Sequence, residues 1–249
     1  MTESDDVLLP LPKEFLFPMA FPCYQRQPLW PVEKKVEQTT LPRTFQLPDL
    51  SGVKPDTGGV RRTGWVQWRV AWSSDGLAFT VLVVGRHQIP WCRVNRINES
   101  DRVEIFLDTR DVHDVHRATR FCHRFLFMPC GHGVRLSQPF AAWLPIHRAK
   151  DHPNPIPEGR LRTVARVGIP PVVDENQKPL VGNYQLDILI PNSALTGFDP
   201  TEHASLGFAA IVTDQELGTA ALGPGGTLPL DEDPSLWNTL DLVEAGPPE

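Results

Sequence analysis

The sequence has few cysteines, no long apolar run and no excess of basic residues, and each absence excludes a class of protein. The cysteines are Cys23, Cys92, Cys122 and Cys130, and none forms a CxxC pair. We therefore expect free thiols rather than a zinc site or a disulfide framework. No stretch approaches the roughly 18 apolar residues of a membrane helix. The formal charge of -6 argues against nucleic-acid or membrane-surface binding.

Recognisable catalytic motifs are also missing. The chain contains no GxSxG, no HExxH, no phosphate-binding loop and no GxGxxG after a strand. Thirty acidic residues make some carboxylate pair inevitable, and nothing in the sequence marks one pair as that of a glycosidase. We therefore predict a non-catalytic protein. The N-terminus, MTESDDVLLPLP, carries acids where a secretory leader needs basic residues, which predicts a cytoplasmic location.

Proline is abundant, and it favours β structure. The 26 prolines interrupt nearly every candidate helix, because proline lacks the amide donor and clashes with the preceding turn. Period-two apolar patterns predict successive strands. These strands lie in GWVQWRVAWS, LAFTVLVVG, DRVEIFLD, TRFCHRFLFMP, LRTVARVGI, NYQLDILIP, ASLGFAAIVTD and WNTLDLVE. The predicted fold is all-β, an antiparallel β-sandwich of jelly-roll type with long proline-rich loops.

The same pattern divides the chain into three parts. Residues 1–40 are predicted as a proline-rich extension that packs on the domain, residues 41–243 as the sandwich, and residues 244–249 as a tail. Residues 137–160 carry five prolines and Trp143 and are interpreted as a long loop, which in a compact domain is often functional. In GWVQWRVAWS, Trp68 and Trp72 alternate with Trp65, so the first two are expected in the core and Trp65 on the surface.

The stretch SDRVEIFLDTRD places a carboxylate inside an apolar strand. Val103, Ile105 and Leu107 share one face, and Glu104 lies on the other. If this strand pairs with RFCHRFLFMP, Arg120 or Arg124 comes within reach of Glu104 across the ladder. Two interpretations remain open from the residues alone. One is a cross-strand ion pair, and the other is a set of fixed donors and acceptors for a polar ligand such as a sugar.

The segment DTRDVHDVH concentrates carboxylates and imidazoles within nine residues. Asp108 and Asp111 are ligands that calcium accepts, whereas zinc would prefer the neighbouring histidines. The segment matches no fixed-spacing motif such as the EF-hand loop. Calcium is therefore the candidate metal cofactor of this segment, and a polar turn without metal is the alternative.

Six stretches in a fixed order carry a family resemblance. They are DGLAFTVLVVG, Trp91, SDRVEIFLDTRD, NYQLDILIPNSALTGFDP, SLGFAAIVTD and DPSLWNTLDL. Together they resemble the family-nine carbohydrate-binding modules and their relatives, related to DOMON domains, over roughly residues 41–243. The resemblance implies a jelly-roll β-sandwich that binds sugars, with structural calcium in several members. In characterised members a terminal sugar is held between two tryptophans, with Glu, Arg and Asn as polar partners.

Carried over residue by residue, the resemblance predicts which residues form a ligand site. Trp91 matches the aromatic before the acidic strand, Glu104 matches the acid within it, and Arg120 or Arg124 matches the arginine that follows. Asp108 and Asp111 fall in the acidic turn after that strand. Between Trp91 and Glu104 the chain is several residues longer than the usual gap. The second aromatic wall has no counterpart in GPGGTLPLDEDPSLW, so Trp143 is the candidate substitute, whereas Trp237 is expected in the core.

Arginine and histidine are abundant around this predicted site, and guanidinium groups suit carboxylate or sulfate. We therefore expect any bound glycan to be acidic. Two other functions remain open. The first is a structural or protein-interaction sandwich that has lost sugar binding, with the proline-rich arm contacting a partner or a second copy. The second is a haem-binding sandwich, in which Met128 would act near His123 and His132.

Overall fold

A computed structural model describes residues 19–31, 39–48, 64–157, 159–169, 172–222 and 229–248. Within these ranges the regular structure consists of strands and short 3-10 turns. The strands are β1 (Ala20–Gln25), β2 (Val66–Ser73), β3 (Gly76–Val83), β4 (Arg102–Asp108), β5 (Cys122–His132), β6 (Gln138–Leu144), β7 (Arg162–Val167), β8 (Tyr184–Pro191), β9 (Ser205–Asp214), β10 (Gly218–Leu222) and β11 (Asn238–Val243). The turns are Arg43–Phe45, Val94–Glu99, Asn192–Ala194 and Pro234–Leu236. The all-β prediction is confirmed, and none of the described helices could cross a membrane.

The strands form two layers that share one apolar core. One layer has the order β6-β5-β4-β9-β11, with β10 also paired to β9, and the other has the order β2-β3-β8-β7. The inward side chains of both layers, such as Ile105, Phe125, Phe208, Phe79 and Ile188, pack into a single cluster. Burying this apolar surface is the main stabilising contribution to the fold.

Strand β1 joins the two layers and departs from the antiparallel prediction. It pairs in parallel with β11 along its length and with β2 through Tyr24 and Gln25. Pro22 pairs with Asp241 of β11 and lies outside the part of β1 that contacts β2, so its missing amide costs no bond to β2. The sandwich therefore begins within the stretch that was predicted as an extension. Residues 1–18 and 32–38 of that extension lie outside the described residues.

Strand β6 lies inside the segment that was predicted to be a long loop. It pairs only with β5, so it forms an edge of its layer among the described strands. Proline is tolerated on an edge because one side of the strand makes no ladder bonds, and Pro139 lies within β6 while Pro145 follows it. The loop interpretation failed here because it treated proline as a general breaker of regular structure.

The eight sequence-predicted strands are present close to their expected positions, and the turn at Ser74 and Asp75 joins β2 to β3 as predicted. One face assignment was wrong. Trp65 precedes β2 and is buried in the core with Trp68 and Trp72, rather than exposed. Strict alternation does not apply to Trp65, because it lies outside the strand.

Candidate functional site

Glu104 lies on the outer face of β4 and is held by two arginines. The pairing of Glu104 with Leu126 and of Phe106 with Arg124 puts Arg124 on the same face of the sheet. Arg124 donates from Nε to Glu104 Oε1 at 3.0 Å, and Arg102 donates from Nε to Oε2 at 2.8 Å. Glu104 is 3% exposed. The predicted cross-strand ion pair therefore exists, and both carboxylate oxygens are occupied.

A concavity of about 540 Å³ opens next to this ion pair. Arg124 lines it on one side, with Leu144 and Pro145 at the end of β6. The 3-10 turn Val94–Glu99 forms the opposite wall. This wall presents Asn95, Arg96, Asn98 and Glu99, so the concavity combines amide, guanidinium and carboxylate groups with apolar lining residues.

Trp91 flanks this wall and keeps part of its indole in solvent. The side chain is 37% exposed, and the guanidinium groups of Arg93 and Arg96 lie 5.1 Å and 5.3 Å from the ring centroid. Such cation-π contacts at exposed sites contribute about 0.5–1 kcal/mol each. Arg96 also lines the concavity, so it connects the indole to the Glu104 and Arg124 pair.

A buried ion-pair cluster fixes the backbone of Trp91. Asp101 Oδ2 accepts from the Trp91 amide at 2.7 Å and from Arg86 Nη2 at 3.0 Å. Asp214 pairs with the other terminal nitrogen of Arg86. Burial raises the pKa of Asp214 above its ordinary value. Because Arg86, Asp101 and Asp214 are all buried, this cluster is a rigid base for the Trp91 segment rather than part of an open surface.

Of the five predicted ligand residues, Arg124 lines the concavity. Glu104 is bound to Arg124, and Trp91 contacts Arg96 of the wall, whereas Arg120 and Trp143 lie elsewhere. Arg120 is exposed before β5 begins, with its guanidinium 5.0 Å from the ring centroid of Phe121. Trp143 pairs with Phe125, so its side chain is on the inner face of β6 and packs against the core. The described residues therefore place no second tryptophan opposite Trp91.

Trp237 is buried as expected, with its ring centroid 5.7 Å from that of Phe106.

The residues present do not fit the calcium ion that the resemblance implies. Asp108 is buried, and its two oxygens accept from the backbone amides of Arg110 and Val112 at 3.0 Å and 3.1 Å. Burial raises the pKa of Asp108, an effect that those backbone hydrogen bonds partly offset. Asp111 accepts from the Thr239 hydroxyl at 3.1 Å. Across the described ranges no three His, Cys, Asp or Glu side chains converge as metal ligands. These two aspartates instead stabilise the turn after β4.

Haem does not fit the residues proposed for it either. His123 faces the core and is fully buried, and its Nε2 accepts from the backbone amide of Thr196 at 3.0 Å. Met128 pairs with Phe140 and, one residue after the inward Phe127, lies on the opposite face of β5. The Nε2 of His123 is therefore occupied within the core, and the Met128 sulfur is on the other side of the sheet.

Sequence reasoning counted Arg96 among the basic residues around the site but missed Asn95 and Asn98, which form the wall of the concavity with it. A signal was present, because the chain between Trp91 and Glu104 is longer than the resemblance predicts. That extra length folds as the 3-10 turn Val94–Glu99. The insertion therefore builds the site's wall and places Arg96 over the indole.

Comparison with known proteins identifies the fold but not a sequence family. No protein-family model and no curated protein matches the chain. A family 9 carbohydrate-binding module from Caldicellulosiruptor kristjanssonii, solved with cellotriose, matches with a TM-score of 0.53 and 14% identity over 91% of this chain and 95% of that chain. This chain has the fold of that module. The same module solved with glucose matches equally well, over 92% of this chain and 98% of that chain.

A third match is a candidate carbohydrate-binding protein from Bacteroides uniformis, with a TM-score of 0.53 and 13% identity, over 91% of this chain and 100% of that chain. All three matches span almost the whole of both chains. The likeness to the family 9 carbohydrate-binding module fold therefore extends over nearly the whole chain.

Proposed function

We propose that the protein is a non-catalytic carbohydrate-binding module, and that its ligand is an acidic glycan such as a uronic or sulfated sugar. The observation that carries this proposal is that Arg96 and Arg124 line one solvent-open concavity, with the partly exposed indole of Trp91 in contact with Arg96. An indole face stacks on the apolar face of a sugar ring, and the side-chain amides of Asn95 and Asn98 offer both donors and acceptors to hydroxyl groups.

Charge favours an acidic sugar over a neutral one. Four arginines lie in or next to the concavity, namely Arg93, Arg96, Arg102 and Arg124, against two carboxylates, those of Glu99 and Glu104. Arginine binds carboxylate and sulfate groups through paired hydrogen bonds. The guanidinium groups of Arg93 and Arg96 lie 5.1 Å and 5.3 Å from the centroid of the Trp91 ring, so an anionic group bound next to the indole would meet positive charge there.

The single aromatic wall sets the expected affinity. A millimolar complex corresponds to about -4 kcal/mol, net hydrogen bonds contribute about 1 kcal/mol each, and an aromatic contact adds about 0.5–1.5 kcal/mol. One indole and a few hydrogen bonds therefore support binding near millimolar for a neutral sugar. Charge-assisted bonds of about 1.5–3 kcal/mol would move an acidic sugar into the micromolar range.

A structural or protein-interaction sandwich without sugar binding is the second candidate. The burial of Glu104 favours it, because both carboxylate oxygens are already taken by arginines and the side chain is 3% exposed. A contact through the N-terminal arm stays a prediction, since residues 1–18 lie outside the described residues.

Calorimetric titration with glucuronate and galacturonate oligomers, sulfated oligosaccharides, glucose and cellotriose tests these proposals. We expect saturable binding of at least one acidic ligand, tighter than that of either neutral sugar. Trp91→Ala and Arg124→Gln should each weaken this binding about tenfold or more. Arg162→Gln is the matched control, because Arg162 is exposed on β7 in the other layer. Tighter binding of neutral sugars would contradict the proposal of an acidic glycan. No binding of any sugar in the panel would favour the structural alternative.

A further inference from the structure

Two of the four free cysteines lie side by side beneath the Trp91 segment. Cys92 follows Trp91, and Cys130 belongs to β5. The backbone of Gly131 packs directly against Cys92, because a Cβ on Gly131 would lie 2.9 Å from the Cβ of Cys92. Gly131 also has a φ of 103°, so glycine is required here both for space and for backbone conformation.

The hydrogen bonds of the two thiols tie the same segments together. Cys130 Sγ lies 3.3 Å from the carbonyl oxygen of Pro90, and Cys92 Sγ lies 3.2 Å from that of Asp101. The two side chains are also close enough for each thiol to shift the pKa of the other. A disulfide needs Cβ atoms about 3.5–4.5 Å apart, and the contact of Gly131, the neighbour of Cys130, with the Cβ of Cys92 brings the two cysteines close to each other.

The two thiols differ in reactivity. Cys92 is fully buried, whereas Cys130 is partly exposed. The adjacent Cys92 thiol and the positive charge of Arg93 lower the pKa of Cys130. The adjacent Cys130 thiol and burial raise the pKa of Cys92. Because the thiolate is the nucleophile, Cys130 is the thiol that an oxidant meets first and Cys92 is the thiol that resolves the intermediate.

We propose that Cys92 and Cys130 are a redox-active pair that small disulfides, such as oxidised glutathione, convert into an intramolecular disulfide. The Cys130 thiolate attacks one sulfur of the oxidant, which forms a mixed disulfide and releases one thiolate. Cys92 then loses its proton and attacks the Cys130 sulfur, which releases the second thiol. The two protons and two electrons lost by the pair leave on the two thiols formed from the oxidant.

This bond would connect the segment that carries Trp91 covalently to β5, which carries Arg124. It would also close a loop that contains the wall Val94–Glu99 and β4. Cross-linking restricts the unfolded chain more than the folded one, so the oxidised protein should be more stable. Any effect on ligand affinity rests on the proposed function, whereas formation of the bond does not.

Incubation of the folded protein in graded mixtures of reduced and oxidised glutathione, followed by denaturing alkylation and mass spectrometry, tests the pair. We expect the alkylatable thiols to fall from four to two, and the cross-linked peptide to join Cys92 to Cys130. The midpoint of thermal unfolding should rise on the order of 5–10 °C. Cys23 and Cys122 act as internal controls, since burial raises the pKa of each thiol, for Cys122 to about 12.

Two variants separate the roles of the thiols. Cys92→Ser should accumulate one glutathione on Cys130, because the resolving thiol is missing, whereas Cys130→Ser should keep Cys92 unmodified. Four alkylatable thiols in the wild type under fully oxidising conditions, or a bridge that includes Cys23 or Cys122, would overturn the proposal. The wild-type result decides the question even if either serine variant fails to fold. Absence of glycan binding would leave the proposal of a redox-active cysteine pair unaffected.

Discussion

The two layers each carry a buried carboxylate in the middle of a strand, on the face turned away from the core. The surroundings of the two carboxylates differ. Glu104 of β4 lies beside an open concavity and contacts two arginines that keep 15% and 21% of their side-chain surface in solvent. Asp187 of β8 is fully buried. The chain itself covers Asp187, because Thr39 and Thr40 donate to its Oδ2 at 2.9 Å and 3.1 Å.

The hydrogen bonds around Asp187 form a closed set. Thr80 donates to Oδ1 at 2.7 Å, Arg166 donates to Oδ2 at 2.7 Å, and the Gln185 amide donates to both oxygens at 3.0 Å. Apolar side chains of the covering segment, including Leu29 and Leu41, pack on the same outer face. A carboxylate whose acceptors are all filled by the chain has a structural role. A carboxylate between two partly exposed arginines leaves donor groups for a ligand.

Substitution of Asp187 should have the largest effect. Asp187→Ala leaves Arg166, Gln185 and three threonines without their shared acceptor, so we expect a loss of about 3–5 kcal/mol in the free energy of unfolding. Urea denaturation measures this loss. Asp241→Asn, at an exposed position of β11, is the control and should change stability by less than about 0.5 kcal/mol. A loss for Asp187→Ala as small as that of the control would mean that the cover over β8 contributes little.

Protonation of the buried His123 should make the stability of the core sensitive to acid, separately from the carboxylates of the two outer faces. Burial lowers its pKa from 6.5 to about 4. Between pH 4 and pH 6.5 the unfolded chain therefore binds a proton at His123 that the folded protein does not bind. The contribution of the neutral His123 to the free energy of unfolding is fully present above pH 6.5 and is lost as the pH falls towards 4. The loss should approach about 3 kcal/mol.

Denaturation of the wild type and of His123→Asn at pH 7 and pH 4.5 checks this expectation. The variant should be less stable at pH 7, because it disturbs the contacts with Thr196 and Phe125, but its stability should change less between the two pH values. An equal pH dependence in both proteins would assign the acid sensitivity to the carboxylates of the outer faces.

The sequence could predict the strands but not which face the chain covers. The alternation in DRVEIFLD and NYQLDILIP shows an outward acid in both strands, yet nothing local reveals that residues 39–41 return over Asp187. Trp143 was assigned to the ligand site because its face depends on the pairing of β6 with β5, and β6 was read as loop. Arg124 and Glu104 could be paired in advance because both lie within strands of clear period.

Glu104→Gln should have a smaller effect on stability than Asp187→Ala. The two arginines that lose their acceptor charge remain partly hydrated, so we expect a loss of about 1–3 kcal/mol by denaturant titration. The same change frees Arg124 from a competing carboxylate, so binding of an acidic glycan should persist. A loss of stability as large as that of Asp187→Ala would make Glu104 a second purely structural carboxylate and remove the contrast between the layers.

Glu99→Gln should have the smallest effect on stability and the most selective effect on binding. Glu99 pairs with Arg96 at the rim, where both side chains are more than half exposed. Exposed pairs of this kind contribute about 0–1 kcal/mol, so unfolding should hardly change. Removing the carboxylate leaves Arg96 available to an anionic ligand.

The affinity of Glu99→Gln for an acidic glycan should therefore rise about twofold to fivefold while its affinity for glucose stays the same, because added positive potential acts only on a charged ligand. Asp241→Asn removes the same charge away from the concavity and should leave both affinities unchanged. Equal gains for the two variants would attribute the effect to net charge, whereas a gain confined to Glu99→Gln would locate the anionic group of the ligand at Arg96. Raising the salt concentration should shrink that gain, since both charges at the rim are exposed to solvent.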